Sequence, residues 1–218
     1  MDKLENYIKI LSTKMKVYFD GDATGHSIDH LERTMKYALK LQEKEGGDRV
    51  VVGIAAYIHD VHRIMGTQQG RYVSPKESLP VVENFLKDLN LSSKRINHIL
   101  HAVEHHEEYS FGQEKVAVDD IESKIVQDAD NLDAIGAVGL VRTIKYCIAH
   151  NIPIYDSNIP LYRNEYSESI GDKSSIHHIY NKLIRLGKNM NTKTAKDIAK
   201  QKTKLLKDFV KMYIDEVS

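Results

Sequence analysis

The sequence predicts an all-α fold, a single-domain helical bundle. Apolar residues recur at helical spacing along nearly the whole chain, and the breaks fall at glycine-rich or polar stretches such as "GDATG" and "GGD". The one segment open to a strand reading, "RVVVGI", continues through "AAYIH", too far for an ordinary strand.

Residues 2 to 17 set Leu4, Ile8, Leu11 and Met15 on one stripe, and "GDATG" ends that helix. The second runs from about Ile28 to Lys44, with Leu31, Met35, Ala38 and Leu41 inward, and stops at "GGD". "RVVVGIAAYIHD" is apolar nearly all round, as a helix surrounded by neighbours must be. Turn formers in 65 to 79 predict a loop over one face. Helices follow near 79 to 88 and 92 to 107, then one from about Ile121 to Cys147 with a bend near Gly136 or Gly139. Residues 150 to 172 lack periodicity, and a loop of that length covers a site or mediates association; its tyrosines could stack against a base or equally form a homodimer contact. The last helix opens near Thr192 and carries Ala195, Ile198, Ala199, Leu205 or Leu206, Phe209, Tyr213 and Ile214. No repeat or linker divides the chain, so residues 1–218 are expected to form one domain, with a core of about 22–150 and extra helices at either end.

Thirty-one basic residues balance 31 acidic ones among 218. That balance supplies no general attraction to nucleic acid or membrane. The lysine-rich tail alternates with apolar positions and reads as a solvated helix face, so no stable nucleic-acid complex is expected. No run of 18 apolar residues is present, and the charged N-terminus reads as an amphipathic helix. The single cysteine, Cys147, excludes an internal disulfide and fits a reducing, cytoplasmic setting. Walker loops, dinucleotide fingerprints and CxxC pairs are missing from the sequence.

Function lies in the polar residues inside apolar helices. "YIHDVHR" closes an apolar run with His59 and Asp60, and "HSIDHLERTMKYA" sets His26 and His30 four apart on one helix face. "IVQDADNLDAIGAVGL" inserts Asp128, Asp130 and Asp133 into an apolar helix. Capping could account for Asp128. The other two need a partner, because a buried carboxylate is costly unless paired, hydrogen-bonded or bound to a cation. Imidazoles and carboxylates from different helices make a mixed N/O set suited to a divalent transition ion, which could bind a phosphoryl oxygen and activate water.

In the order "DHLERTMKYA", "AAYIHDVHR", "QDADNLDAIGAVGLVRT", the sequence resembles the HD-domain metal-dependent phosphohydrolases. With "HHIYNKLIRLGKNMNTKTAKDIAKQ" it is similar to a bacterial subgroup of small HD proteins, over roughly residues 22 to 212. The resemblance implies an HD-type helical bundle with His30, His59, Asp60 and Asp130 as metal ligands. It also implies phosphohydrolase activity on nucleotides, with release of pyrophosphate from nucleoside triphosphates as the leading subclass. The implied cofactor is one divalent ion, Mn2+ before Mg2+, Co2+, Ni2+, Fe2+ or Zn2+. Two alternatives are a nucleoside monophosphate phosphatase or phosphodiesterase, and a metal-stabilised regulatory protein without turnover.

Around that set, Asp133 is expected to orient water, accept its proton or support a metal-binding histidine. Arg63 is expected to clamp phosphate, helped by Lys76 and Arg71. Of the histidines at 98, 101, 105 and 106, which could add ligands for a second ion, His105 is the expected inner one. "HAVEHHEEY" also matches the H-x-x-E-H pattern of inverted zinc peptidases at His101, Glu104 and His105, but that reading leaves His59, Asp60 and Asp130 unexplained.

Overall fold

Asp48 starts the central helix: its carboxylate accepts from the backbone N–H groups of Val50 and Val51 at 2.9 and 3.4 Å. In the computed structural model, which describes residues 3–20, 27–107, 118–161 and 173–217, that helix is α3 (Arg49–Ile58). Every residue from Val50 to Ile58 is buried, as its all-round apolar character requires. Backbone contacts divide the chain into two compact units, one ending at Asp130 and the other resuming at Asn131. No strand occurs among the described residues, and the fold is all-α. No helix among them is long and apolar enough to cross a membrane.

In the first unit α1 (Lys3–Tyr18), α2 (Ile28–Glu45) and α6 (Ser93–His105) pack on α3. α1 buries Leu4, Tyr7, Leu11 and Met15. Tyr7 takes the inward place expected of Ile8 because its ring is buried while its hydroxyl donates to Asn90 O at 3.0 Å. Gly53 gives α1 room: a Cβ there would meet Leu4 Cδ2 at 2.7 Å. On α2, His30 and Thr34 join Leu31, Ala38 and Leu41 among the buried residues.

The loop expected over 65 to 79 is mostly helical. α4 (Val61–Gln69) runs to Gly70, whose φ of 64° provides a left-handed stop. α5 (Pro75–Leu86) then starts four residues before the expected position. Ser74 and Glu77 form a reciprocal capping box there, with Pro75 in the first turn.

The bend expected near Gly136 is a full break between α7 (Ile121–Ala134) and α8 (Gly136–Ala149), with Gly136 at φ 76°. In the second unit Lys202 caps the end of α7, donating to Leu132 O and Ile135 O at 2.9 and 3.2 Å. There α9 (Ser175–His178), a π-helical turn over Ile179–Leu183 and α11 (Lys193–Val217) pack with α8, and α10 (Ile184–Leu186) packs with that turn and α11. Ile184 N–H bonds Ile179 O, five residues back, which makes that turn wider than its neighbours.

Candidate metal centre

Three segments of the first unit bring the expected ligands together. His30 lies in the first turn of α2, Asp130 on α7, and the His59–Asp60 doublet at the corner between α3 and α4. Asp60 leaves helical geometry there, at φ −86° and ψ 14°. His30 Nε2 is 3.2 Å from His59 Nε2, 3.2 Å from Asp60 Oδ2 and 3.4 Å from Asp130 Oδ1. His59 Nε2 is 3.6 Å from Asp60 Oδ1 and 3.7 Å from Asp130 Oδ1.

The three spacings from His30 suit ligands sharing one ion, and the two from His59 to the carboxylates are slightly longer. Donors about 2.1 Å from a divalent transition metal stand about 3.0 to 3.4 Å from each other in octahedral or tetrahedral arrangement. The ring orientations agree. His59 Nδ1–H donates to Ala56 O at 2.9 Å, which fixes the tautomer and leaves the Nε2 lone pair facing the cluster. His30 Nδ1 meets Thr34 Oγ1 at 3.3 Å, with Nε2 again inward.

The electrostatics favour a cation. Burial lowers the pKa of His59, but Asp60 and Asp130 outweigh it and hold the ring up at about 9. Burial works to raise Asp130, and the neighbouring His59 and His30 keep it well below the usual carboxylate range. The pocket of acids thus recruits positive charge even without metal.

Two further histidines complete the wall. His106, just past α6, is fully buried and donates from Nδ1 to Val103 O at 2.6 Å. Its ring lies 4.9 Å from that of His59 and 5.1 Å from that of His62. His106 Nε2 has no hydrogen-bond partner; Asp60 Oδ1, at 3.9 Å, is too distant. His62 is buried on α4, its Nδ1 meeting His59 O at 3.3 Å. In the tautomer that bond selects, Nε2 has no proton to give Glu107 Oε2, 3.2 Å away. Burial first, then the positive pull of His106, pushes His62 down to about 3. Burial likewise lowers His106 against the opposing pull of Asp60.

Arg63 stands at this wall, paired with Glu107 and with its Nε 3.9 Å from Asp60 Oδ1. The other expected residues lie elsewhere. His105 turns its ring to His101, 4.4 Å away, and its carbonyl accepts from Gln127 at 2.6 Å, so His106 holds the inner position expected of its neighbour. Arg71 pairs with Glu77 at 2.9 Å, and Lys76, largely exposed, with Glu104 at 3.1 Å. Glu104 and His101 therefore have partners of their own, the latter Asp120 at 3.1 Å. Asp128 is buried within α7, away from its first turn, and so is not a cap. Asp133, one turn beyond Asp130, accepts from Arg142 at 2.7 Å in the second unit. His26 lies outside the described residues.

The sequence offers His106 only as one of four candidates for a second ion, and it assigns no role to His62, Glu107 or Arg142. His62 was discoverable, since three residues after His59 is one helical turn. Glu107 and Arg142 carry no local signal, because their partners are set by tertiary packing.

The HD domain family model matches residues 27–135, the span from α2 to the end of α7 that holds all four expected ligands. The Bacillus subtilis protein YpgQ is 29% identical over 203 residues, 92% of this chain and 89% of that protein. A Lactobacillus plantarum protein of known structure superposes with a TM-score of 0.77 at 29% identity, covering 97% of each chain. An HD-superfamily hydrolase from Bacillus thuringiensis gives 0.73 at 31% identity, covering 99% of this chain and 98% of its own. The crystal structure of YpgQ in complex with ADP gives 0.72 at 25%, covering 99% and 97%. With the ligand cluster inside the matched span, the chain belongs to the HD-domain superfamily of metal-dependent phosphohydrolases.

Proposed function

We propose that this protein hydrolyses nucleotides, releasing pyrophosphate from nucleoside triphosphates, with Mn2+ as its ion. The observation that carries the reading is the convergence of His30, His59, Asp60 and Asp130 beside Arg63. The ADP bound by YpgQ supports a nucleotide as the ligand here. A mixed imidazole and carboxylate set suits Mn2+, and such an ion, when bound, polarises a phosphoryl group and lowers the pKa of water.

The protein's own groups supply position and charge. Ala56 O and Thr34 Oγ1 hold the His59 and His30 rings with Nε2 inward, so both bind as neutral imidazoles after the His59 proton leaves. Arg63, braced by Glu107, clamps a phosphate with its planar guanidinium. Asp133, its charge balanced by Arg142, acts as a positioning residue for the turn of α7 that bears Asp130. Lys76 and Arg71, each engaged by a glutamate, reach substrate only by exchanging that partner.

The test is release of pyrophosphate and phosphate from a panel of nucleoside tri- and monophosphates with Mn2+, Mg2+, Co2+ or Ni2+. Wild type is compared with Asp130→Ala and His59→Ala. Metal-dependent pyrophosphate release that both substitutions abolish is expected. Phosphate release from monophosphates alone would replace the triphosphate assignment with a phosphatase.

A further inference from the structure

Two buried atoms without a hydrogen-bond partner stand beside Asp60 Oδ1 in the first unit. His106 Nε2 is 3.9 Å from that oxygen, and Arg63 Nε is also 3.9 Å from it. Both are too distant to bond the carboxylate directly. They are opposite in kind. His106 Nδ1–H donates to Val103 O at 2.6 Å, which leaves Nε2 a pure acceptor, whereas Arg63 Nε can only donate.

Hydrolysis of a phosphate needs one of each. An attacking water must give its hydrogens to acceptors so that a lone pair faces phosphorus, and the phosphoryl oxygens must meet donors. The spacing suits the first task. Two hydrogen bonds of about 2.8 Å meeting at one water at roughly 90° join groups about as far apart as His106 Nε2 and Asp60 Oδ1. His106 is wholly buried, so its tautomer and ring position are set by packing and by Val103. Asp133, the residue expected from sequence to orient water, accepts from Arg142.

We propose that His106 orients the attacking water, accepting one of its hydrogens at Nε2 while Asp60 Oδ1 accepts the other, next to a phosphoryl oxygen held by Arg63 Nε. The inference rests on the nucleotide hydrolysis proposed above and assigns the water-orienting part of it. His106 acts by placement and takes up no proton. The competing occupant of this wall is a cation, because Asp60, His62 and His106 each bring one donor atom within 4.8 Å of the others. A metal count separates the two.

Full-length protein loaded with Mn2+ is compared as wild type, His106→Asn and His106→Gln. The asparagine amide keeps a donor where Nδ1–H meets Val103 O but removes the Nε2 acceptor, and the longer glutamine returns an oxygen to about that position. His106→Asn is expected to lose about 100-fold in kcat on a nucleoside triphosphate, with KM within about twofold and the Mn2+ bound per chain unchanged. His106→Gln is expected to recover at least about tenfold of that loss. An active wild type whose kcat survives in His106→Asn overturns the proposal, as does an equal loss in both variants. Loss of bound metal in His106→Asn also overturns it, making His106 a ligand. A wild type inert toward every nucleotide overturns the nucleotide reading and this inference with it. High-resolution crystals of the Mn2+-loaded wild type decide the question without substitution. A water within hydrogen-bond reach of both His106 Nε2 and Asp60 Oδ1 supports the proposal, and a cation or no water there refutes it.

Discussion

Arg142 donates to Asp133 at 2.7 Å, joining the first half of α8 to the last turn of α7 within the second unit. The Asp133 side chain is fully buried and that of Arg142 is 20% exposed. Removing the cation alone strands a buried carboxylate, so Arg142→Gln is expected to cost about 2 to 3 kcal/mol in urea denaturation. Arg142→Gln combined with Asp133→Asn should recover part of that loss. Strict additivity of the two substitutions would mean that the pair contributes nothing.

Metal should stabilise the fold if His30, His59, Asp60 and Asp130 hold it as proposed. At one hundred times its Kd, Mn2+ is expected to add about 2.7 kcal/mol to the stability of metal-stripped protein. Asp130→Ala and His30→Ala should remove that gain in a thermal shift. If Asp130→Ala keeps the full shift, the ion binds elsewhere.

Glu107 braces Arg63 and stands against His62. Glu107→Gln frees the guanidinium of its charge partner while keeping the side chain's shape. The expected result is a nucleotide KM raised about tenfold with the metal content unchanged. Loss of bound metal would instead make Glu107 a support of the HD centre itself.

Asp48 caps α3 and accepts from Arg95 Nε at 2.8 Å. Burial works to raise its pKa, but Arg95 and the Val50 and Val51 amides hold it below the ordinary value. A depressed carboxyl pKa contributes stability that is present above the unfolded value, about 3.9, and is lost as pH falls through the folded one. Asp48→Ala should therefore cost about 1 kcal/mol at pH 7. The gap should narrow steadily below about pH 4. A gap independent of pH from 7 to 2 would exclude a charged cap.

The helices were legible because their apolar periodicity survives in the packed structure, and Leu31, Ala38 and Leu41 are buried as spaced. The proposed ligands stand out in the sequence because His59, Asp60 and Asp130 sit in apolar context, where a polar residue needs a reason. The 65 to 79 segment reads as a loop from its glycines and polar residues, yet the Ser74–Glu77 capping box outweighs them locally and starts a helix there. Choosing His105 over His106 was a matter of helical phase. The two are adjacent, and α6 turns only one of them toward His59.

The widened turn at Ile179–Leu183 sets where the chain tolerates a change of length. Such a turn holds one residue more than the α-turn it replaces, so it absorbs an insertion while the flanks keep their phase. Deleting a residue anywhere else between Ser175 and Leu186 would rotate one flank by about 100° and turn part of the buried set outward. Within 179–183 the same deletion leaves Ile176 on one side and Leu186 on the other facing the core they already share. This stretch is therefore where the chain can lose a residue without rebuilding its interior.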